Sequence, residues 1–189
     1  MNKEFDYNDL MQVFDDTFYA SHQTRLVKGG DEPIYLPIDD TVSYHRIIFA
    51  RGYFASGLHE IAHWLVAGEA RRLLEDYGYW YCPDGRDEQT QKNFEKVEVK
   101  PQAIEWALSL ACGHPFRVST DNLSGWQSDR GAFQDNVYTQ LCELINTGFN
   151  GRTQKLLSAL CAFYQQPPLT IERIDYQRAL HESNNEYEV

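Results

Sequence analysis

At 189 residues, 42% hydrophobic and 24% charged, the chain has the size and balance of one globular domain that buries its own core without staples. A formal net charge of −11 argues against partners held by phosphate neutralisation, because nucleic-acid binders carry a basic footprint. No apolar run reaches the roughly 18 residues of a membrane span, and residues 1–6 are too acidic for a secretory signal, so a cytoplasmic protein with neither nucleic-acid nor membrane partner is expected.

Leu10, Phe14 and Phe18 recur at i, i+4 and i+8, with Met11 beside them, and predict an amphipathic helix over residues 6–20. A short strand over 24–28 ends at the pair Gly29-Gly30. In the next segment Pro33 and Pro37 exclude a helix and permit at most an edge strand. Residues 42–50, with Tyr44, Ile47, Ile48 and Phe49, form a β-rich run in which His45 reads as an ordinary polar position.

Then comes the most informative stretch, His59-Glu60-Ile61-Ala62-His63, of the form H-E-x-x-H. On a helix, residues four apart share a face, so both imidazoles project toward one point and suit a single metal ion, with Glu60 near its open side. Leu58, Ile61, Ala62 and Leu65 supply an apolar stripe, and the helix is expected to run from about 55 to 76, its second half presenting solvated charges. Residues 77–87 follow as a loop rich in aromatic residues, glycine and proline. Tyr79, Trp80 and Tyr81 are expected to form a rigid pocket wall whose faces suit a cation, with Asp84 and Arg86 fixing polar groups.

A short polar helix is expected over 87–97. Pro101 suits the first turn of a second helix carrying Ala103, Ile104, Ala107, Leu108 and Ala111, which Gly113-His114-Pro115 ends, with His114 in a capping turn. Residues 116–119 read as a short strand and 121–126 as a loop. Phe133, Val137, Leu141, Leu144 and Ile145 mark one further helix; Leu156, Leu157, Leu160 and Phe163 mark another. A weaker helix is expected over 171–180, and a polar, disordered tail over 182–189. The fold class is therefore α+β, a single compact domain over 1–181 with several helices around a small sheet and a zincin-like H-E-x-x-H helix. The four cysteines form no C-x-x-C pair; they read as free thiols, and Cys112, Cys142 and Cys161 as small core residues.

A third metal ligand must come from elsewhere. Glu69 lies ten residues after His59, but a continuing helix carries it about 15 Å along the axis, too far to reach the same ion. Glu95, Glu98 and Glu105 remain, and Glu98, flanked by Val97 and Val99 in a polar neighbourhood, is the choice, since an enforced buried carboxylate needs a cation. The chemistry then forks. With zinc, Glu60 is the general base of a hydrolase acting on peptide or RNA. With Fe(II), two histidines and a carboxylate form a facial triad that leaves positions for O₂ and substrate.

From about residue 7 to 180 the chain resembles the bacterial elongation factor P hydroxylases. The resemblance rests on Thr24-Arg25-Leu26-Val27-Lys28 with Asp31-Glu32-Pro33-Ile34-Tyr35-Leu36-Pro37, and on His59-Glu60-Ile61-Ala62-His63-Trp64. It rests equally on Gly78-Tyr79-Trp80-Tyr81-Cys82-Pro83-Asp84-Gly85-Arg86-Asp87 and on Val97-Glu98-Val99-Lys100-Pro101-Gln102-Ala103. It implies an enzyme that hydroxylates the β-lysylated lysine of elongation factor P, on a protease- or ribonuclease-like α+β domain. It implies a metal held by His59, His63 and Glu98, with Fe(II) the expected ion, zinc an alternative in purified protein, O₂ the co-substrate and the electron donor unassigned. Glu60 would orient water or the substrate ammonium, Tyr79, Trp80 and Tyr81 would line the channel, and Asp84 would pair with the amine.

Overall fold

Helix α1 (Tyr7–His22) starts where the Asp6 carboxylate accepts the Asn8 amide, and it buries Leu10, Val13, Phe14, Thr17 and Phe18 on one side. The computed structural model describes residues 5–79, 84–120 and 122–175. Gln23 takes a left-handed conformation and turns the chain directly into β1 (Thr24–Lys28). With β2 (Ile34–Leu36) and β3 (His45–Phe49) it builds a three-stranded sheet of order β1-β3-β2. β3 is central, parallel to β1 with Leu26 opposite Ile47, and antiparallel to β2 with Tyr35 opposite Ile47. The proline-flanked β2 therefore sits at an edge, where a strand need not donate on both sides.

The chain leaves β3 through a turn with Arg51 and Gly52 at positive φ and enters α2 (Phe54–Val66), the helix that carries both histidines. Its apolar face (Leu58, Ile61, Ala62, Trp64, Leu65) is fully buried against α1 and α3. Gly57 lies where an added Cβ would come within 3.0 Å of Leu10, so the absence of a side chain lets α1 and α2 pack closely. α2 stops ten residues short of the expected end. Arg152, at the start of α5, donates to the carbonyls of Trp64 (2.9 Å), Leu65 (3.2 Å) and Ala67 (2.7 Å), and Asn150 also reaches Leu65 (3.2 Å). Tertiary donors satisfy the last carbonyls, so the following helix-forming residues are released from α2. They form two 3-10 turns, Arg71–Leu73 and Glu75–Gly78.

The second departure lies beyond the loop. Instead of two helices, one helix, α3 (Glu88–Cys112), contains Pro101 in its interior. Asp87 caps it by accepting the Thr90 amide, and Gly113 at φ 73° closes it, with His114 N–H donating back to Ser109. Every residue from Pro101 to Cys112 is buried, and this half is the central pillar, packed by α2, α4 (Arg130–Thr147) and α5 (Gly151–Tyr164). Residues 116–119 are not a strand: Ser119 N–H donates to the Gln102 side chain and the Val118 carbonyl accepts from Arg130, so side chains take the bonds a ladder would use. Of the helix expected over 171–180, residues 171–175 are helical. Positions 176–180 and the polar tail lie outside the described residues. Among the described residues, no helix is long and apolar enough to cross a membrane. The architecture is an α-rich domain on a small mixed sheet.

Candidate metal centre

α2 and α3 pack side by side, and their facing surfaces hold the polar residues that the core would otherwise exclude. From α2, His59 and His63 stand one turn apart. From α3, Gln91, Glu95, Glu98, Gln102 and Glu105 recur at i, i+4, i+7, i+11 and i+14, a polar stripe along one face. Gln91, Glu98, Gln102 and Glu105 are buried.

One ligand atom each from His59, His63 and Glu98 lies within 4.8 Å of the others. The two Nε2 atoms are 3.1 Å apart, His63 Nε2 is 3.3 Å from Glu98 Oε1, and His59 Nε2 is 3.8 Å from Glu98 Oε2. Two metal–nitrogen bonds of about 2.0–2.1 Å meeting near a right angle span about 3 Å, so the spacing fits a single ion. The donor set, two imidazoles and a carboxylate on one side, fits zinc and iron alike.

The support around these groups is as specific as the groups themselves. His59 Nδ1 is 2.8 Å from Glu105 Oε2, the arrangement in which a carboxylate fixes the ring and presents the other nitrogen as a lone pair. Gln102 donates to Glu98 Oε2 (3.3 Å) and to the Ser119 carbonyl (2.7 Å), and accepts from Ser119 N–H (3.0 Å), clamping the Glu98 side chain to the 116–120 segment. Burial alone would neutralise these groups. For His59 it is outweighed by the carboxylates of Glu105, Glu98 and Glu60, which push the imidazolium up to about 10. For Glu98 it is outweighed by His63, His59 and the Gln102 hydrogen bond, which hold the carboxyl at about 2. In the metal-free centre these interactions favour the carboxylate form of Glu98 and the protonated form of His59, so protons compete with a cation for the site.

The centre forms part of the wall of a cavity of about 1130 Å³. Glu60 lines it, half-buried, with its carboxyl raised by burial and then lowered in part by the two histidines. Tyr79 also lines it, 43% exposed, with the Arg71 guanidinium 4.2 Å from its ring centre. Arg86 reaches the cavity, yet its side chain is buried: Nε donates to Gln91 (2.8 Å), Nη2 to the Thr120 carbonyl (3.2 Å), and its plane sits over Phe94 at 3.8 Å. Asp84 is elsewhere. It is exposed, accepts from the amide and hydroxyl of Ser124, and is not among the residues that line the cavity. Trp80 and Tyr81 lie outside the described residues.

Sequence reasoning missed the orienting role of Glu105, weighing it only as a rival ligand. The period-3.5 polar stripe on α3 was the available signal. Glu69 is exposed and outside the His59–His63–Glu98 group, but not because the helix carries it away: α2 ends at Val66. His45 stays on its strand, its ring accepting from Ile38 N–H, and His114 packs against Phe5 and Phe54.

Two histidines one helical turn apart, a buried glutamate across from them and a second glutamate behind one imidazole define a candidate mononuclear metal site beside a large cavity. The family model described as elongation factor P hydroxylase matches residues 13–174, and the chain belongs to that family. A similar protein is the elongation factor P lysine hydroxylase of Haemophilus influenzae, 53% identical over 161 residues, which span 85% of this chain and 90% of the relative.

Proposed function

We propose that the protein hydroxylates the β-lysylated lysine side chain of elongation factor P, in the cytoplasm, as one domain over residues 1–181, with Fe(II) held by His59, His63 and Glu98 and O₂ as the oxidant. The observation that carries this reading is the convergence of those three side chains on one open point of the cavity, in a chain 53% identical to a named lysine hydroxylase. Iron held by these residues would supply O₂ activation, one oxygen atom entering a substrate C–H bond and the other leaving as water with two electrons from a separate donor. The protein's own groups do the rest. Glu105 holds the His59 ring so that Nε2 lies toward His63 and Glu98, and Gln102 holds Glu98. Val66, Val97 and Pro101 also line the cavity, apolar surface against which each methylene of a long side chain gains about 0.8 kcal/mol on leaving water. Tyr79 faces the cationic chain, and Arg86 ties the start of α3 to the 116–120 segment through Gln91 and the Thr120 carbonyl.

The test is mass spectrometry of β-lysylated elongation factor P from cells carrying the wild-type protein or its His63→Ala variant. The expected result is a gain of one oxygen with the wild type, lost in the variant. No gain with either would overturn the proposal and leave a zinc hydrolase, with Glu60 as base, as the reading to pursue.

A further inference from the structure

Resting on the lysyl-hydroxylase reading above, we infer that Glu60, Asp76 and Tyr77 form an ammonium-binding subsite on the cavity wall beside the metal ligands. The substrate class it selects is a primary alkyl ammonium at the end of a long aliphatic chain.

The first observation is a polar group with nothing to bind. Tyr77 is 5% exposed, and its hydroxyl is buried without a hydrogen-bond partner, although buried polar atoms are nearly always paired. The residue lines the cavity. Its ring is fixed from the other side: it stacks on Tyr35 at 4.3 Å between centroids with an 18° interplanar angle. Tyr35 in turn donates its hydroxyl to the Arg72 carbonyl (2.7 Å) and its amide to Asp76 Oδ1 (3.0 Å). The phenol is therefore held in place by its neighbours, with its hydroxyl buried and unpaired.

The second observation is how the turn is built. Asp76, Tyr77 and Gly78 have successive positive φ values of 47°, 58° and 71°. The first two are not glycine, so the left-handed conformation is costly, and such cost persists where the surroundings over-determine it. What it achieves is to place Asp76 and Tyr77 in the wall of the same cavity that Glu60 lines from α2. Burial first, and then the nearby Glu60, Tyr35 and Asp76, oppose the ionisation of Tyr77, so the phenol stays a neutral hydroxyl.

Glu60 completes the set. It is the middle residue between the two histidines, and its carboxylate accepts no hydrogen bond from any described residue. Two carboxylates and a phenol oxygen are acceptors, and an ammonium brings three donors and one positive charge. A guanidinium is planar and forks toward a single carboxylate, whereas here the acceptors come from two separate elements. The subsite also answers a question raised by the loop, because Asp84, expected to meet the amine, is engaged with Ser124 outside the cavity.

The experiment compares two small probes on the full, metal-loaded chain by NMR titration: Nα-acetyl-lysine N-methylamide and its uncharged norleucine counterpart. The expected result is at least about tenfold tighter binding of the lysine probe, the scale of a hydrogen-bonded charge. Glu60→Gln should abolish that preference. Tyr77→Phe, which keeps the ring stack, should reduce it severalfold, with metal content and melting temperature unchanged in both. Equal binding of the two probes, or a preference that survives both variants, would overturn the subsite. If the preference behaves as expected but no oxygen is added to elongation factor P, the proposed reaction falls and the subsite stands. If hydroxylation proceeds and no preference exists, the reverse holds.

Discussion

Replacing Glu105 with glutamine isolates what one carboxylate contributes to a metal it does not touch. The Oε2–Nδ1 distance is 2.8 Å, and the side chains of Glu105 and His59 are only 12% and 28% exposed, so solvent screens the pair little. Glutamine keeps the volume and still accepts from Nδ1–H, but it loses the charge that makes Nε2 more basic. Partners of this kind are worth about 10–100-fold in metal affinity, or about 1.4–2.7 kcal/mol. Glu105→Gln should therefore weaken binding by at least about tenfold, and Glu105→Ala, which also frees the ring, by more. The assay is competition against a chelator of known affinity at fixed pH, with thermal melts of the metal-free variants as the folding control. An affinity within twofold of wild type for both variants would refute the argument and reduce the 2.8 Å contact to packing.

In the metal-free chain, His59 is raised from its ordinary 6.5 to about 10, so its stabilisation is full below 6.5 and is lost as pH rises through about 10. Glu98 is lowered from 4.5 to about 2, so its contribution is full above 4.5 and is lost as pH falls through about 2. Melting temperature against pH, after chelator treatment, should decline on both sides of the interval between 4.5 and 6.5. A rise between pH 7 and 9.5 would contradict the assignment. Arg152→Ala removes three donors from the end of α2. Hydrogen bonds from a charged group predict a loss of about 2–4 kcal/mol in urea unfolding, and an unchanged midpoint would show the contacts to be idle.

The histidine helix and the amphipathic α1 were legible because their signals are local: two imidazoles four apart, and Leu10, Phe14 and Phe18 on one stripe. The third candidate ligand was legible for a related reason, a glutamate wedged between valines. Where the chain departs from the expected elements, the deciding residues are distant. α2 ends at Val66 because Asn150 and Arg152 receive its carbonyls from more than eighty residues away, and no pattern within residues 55–76 encodes that. α3 looked like two helices because Pro101 suits a first turn and because the buried face of residues 88–100 is polar, which hydrophobic periodicity passes over. The identity of the cavity wall was half legible: Tyr79 lines it, while Asp84 turned out to hold the 122–126 loop and Tyr77, read as one more loop aromatic, also lines the cavity.

Pro101 has no N–H to offer the Val97 carbonyl, so the hydrogen-bond ladder of α3 is cut between Glu98 and Glu105. The two halves of this helix differ in anchorage: all of 101–112 is buried, whereas in 88–100 only Gln91 and Glu98 are. That difference predicts that residues 88–100 open at lower free energy than the half belonging to the pillar. Fraying of residues 88–100 withdraws Glu98 and leaves His59, His63 and Glu105 in register. An ion loaded into such a site staples the weaker half to the stronger, and letting it go takes the loosening of a few helical turns, with the core intact.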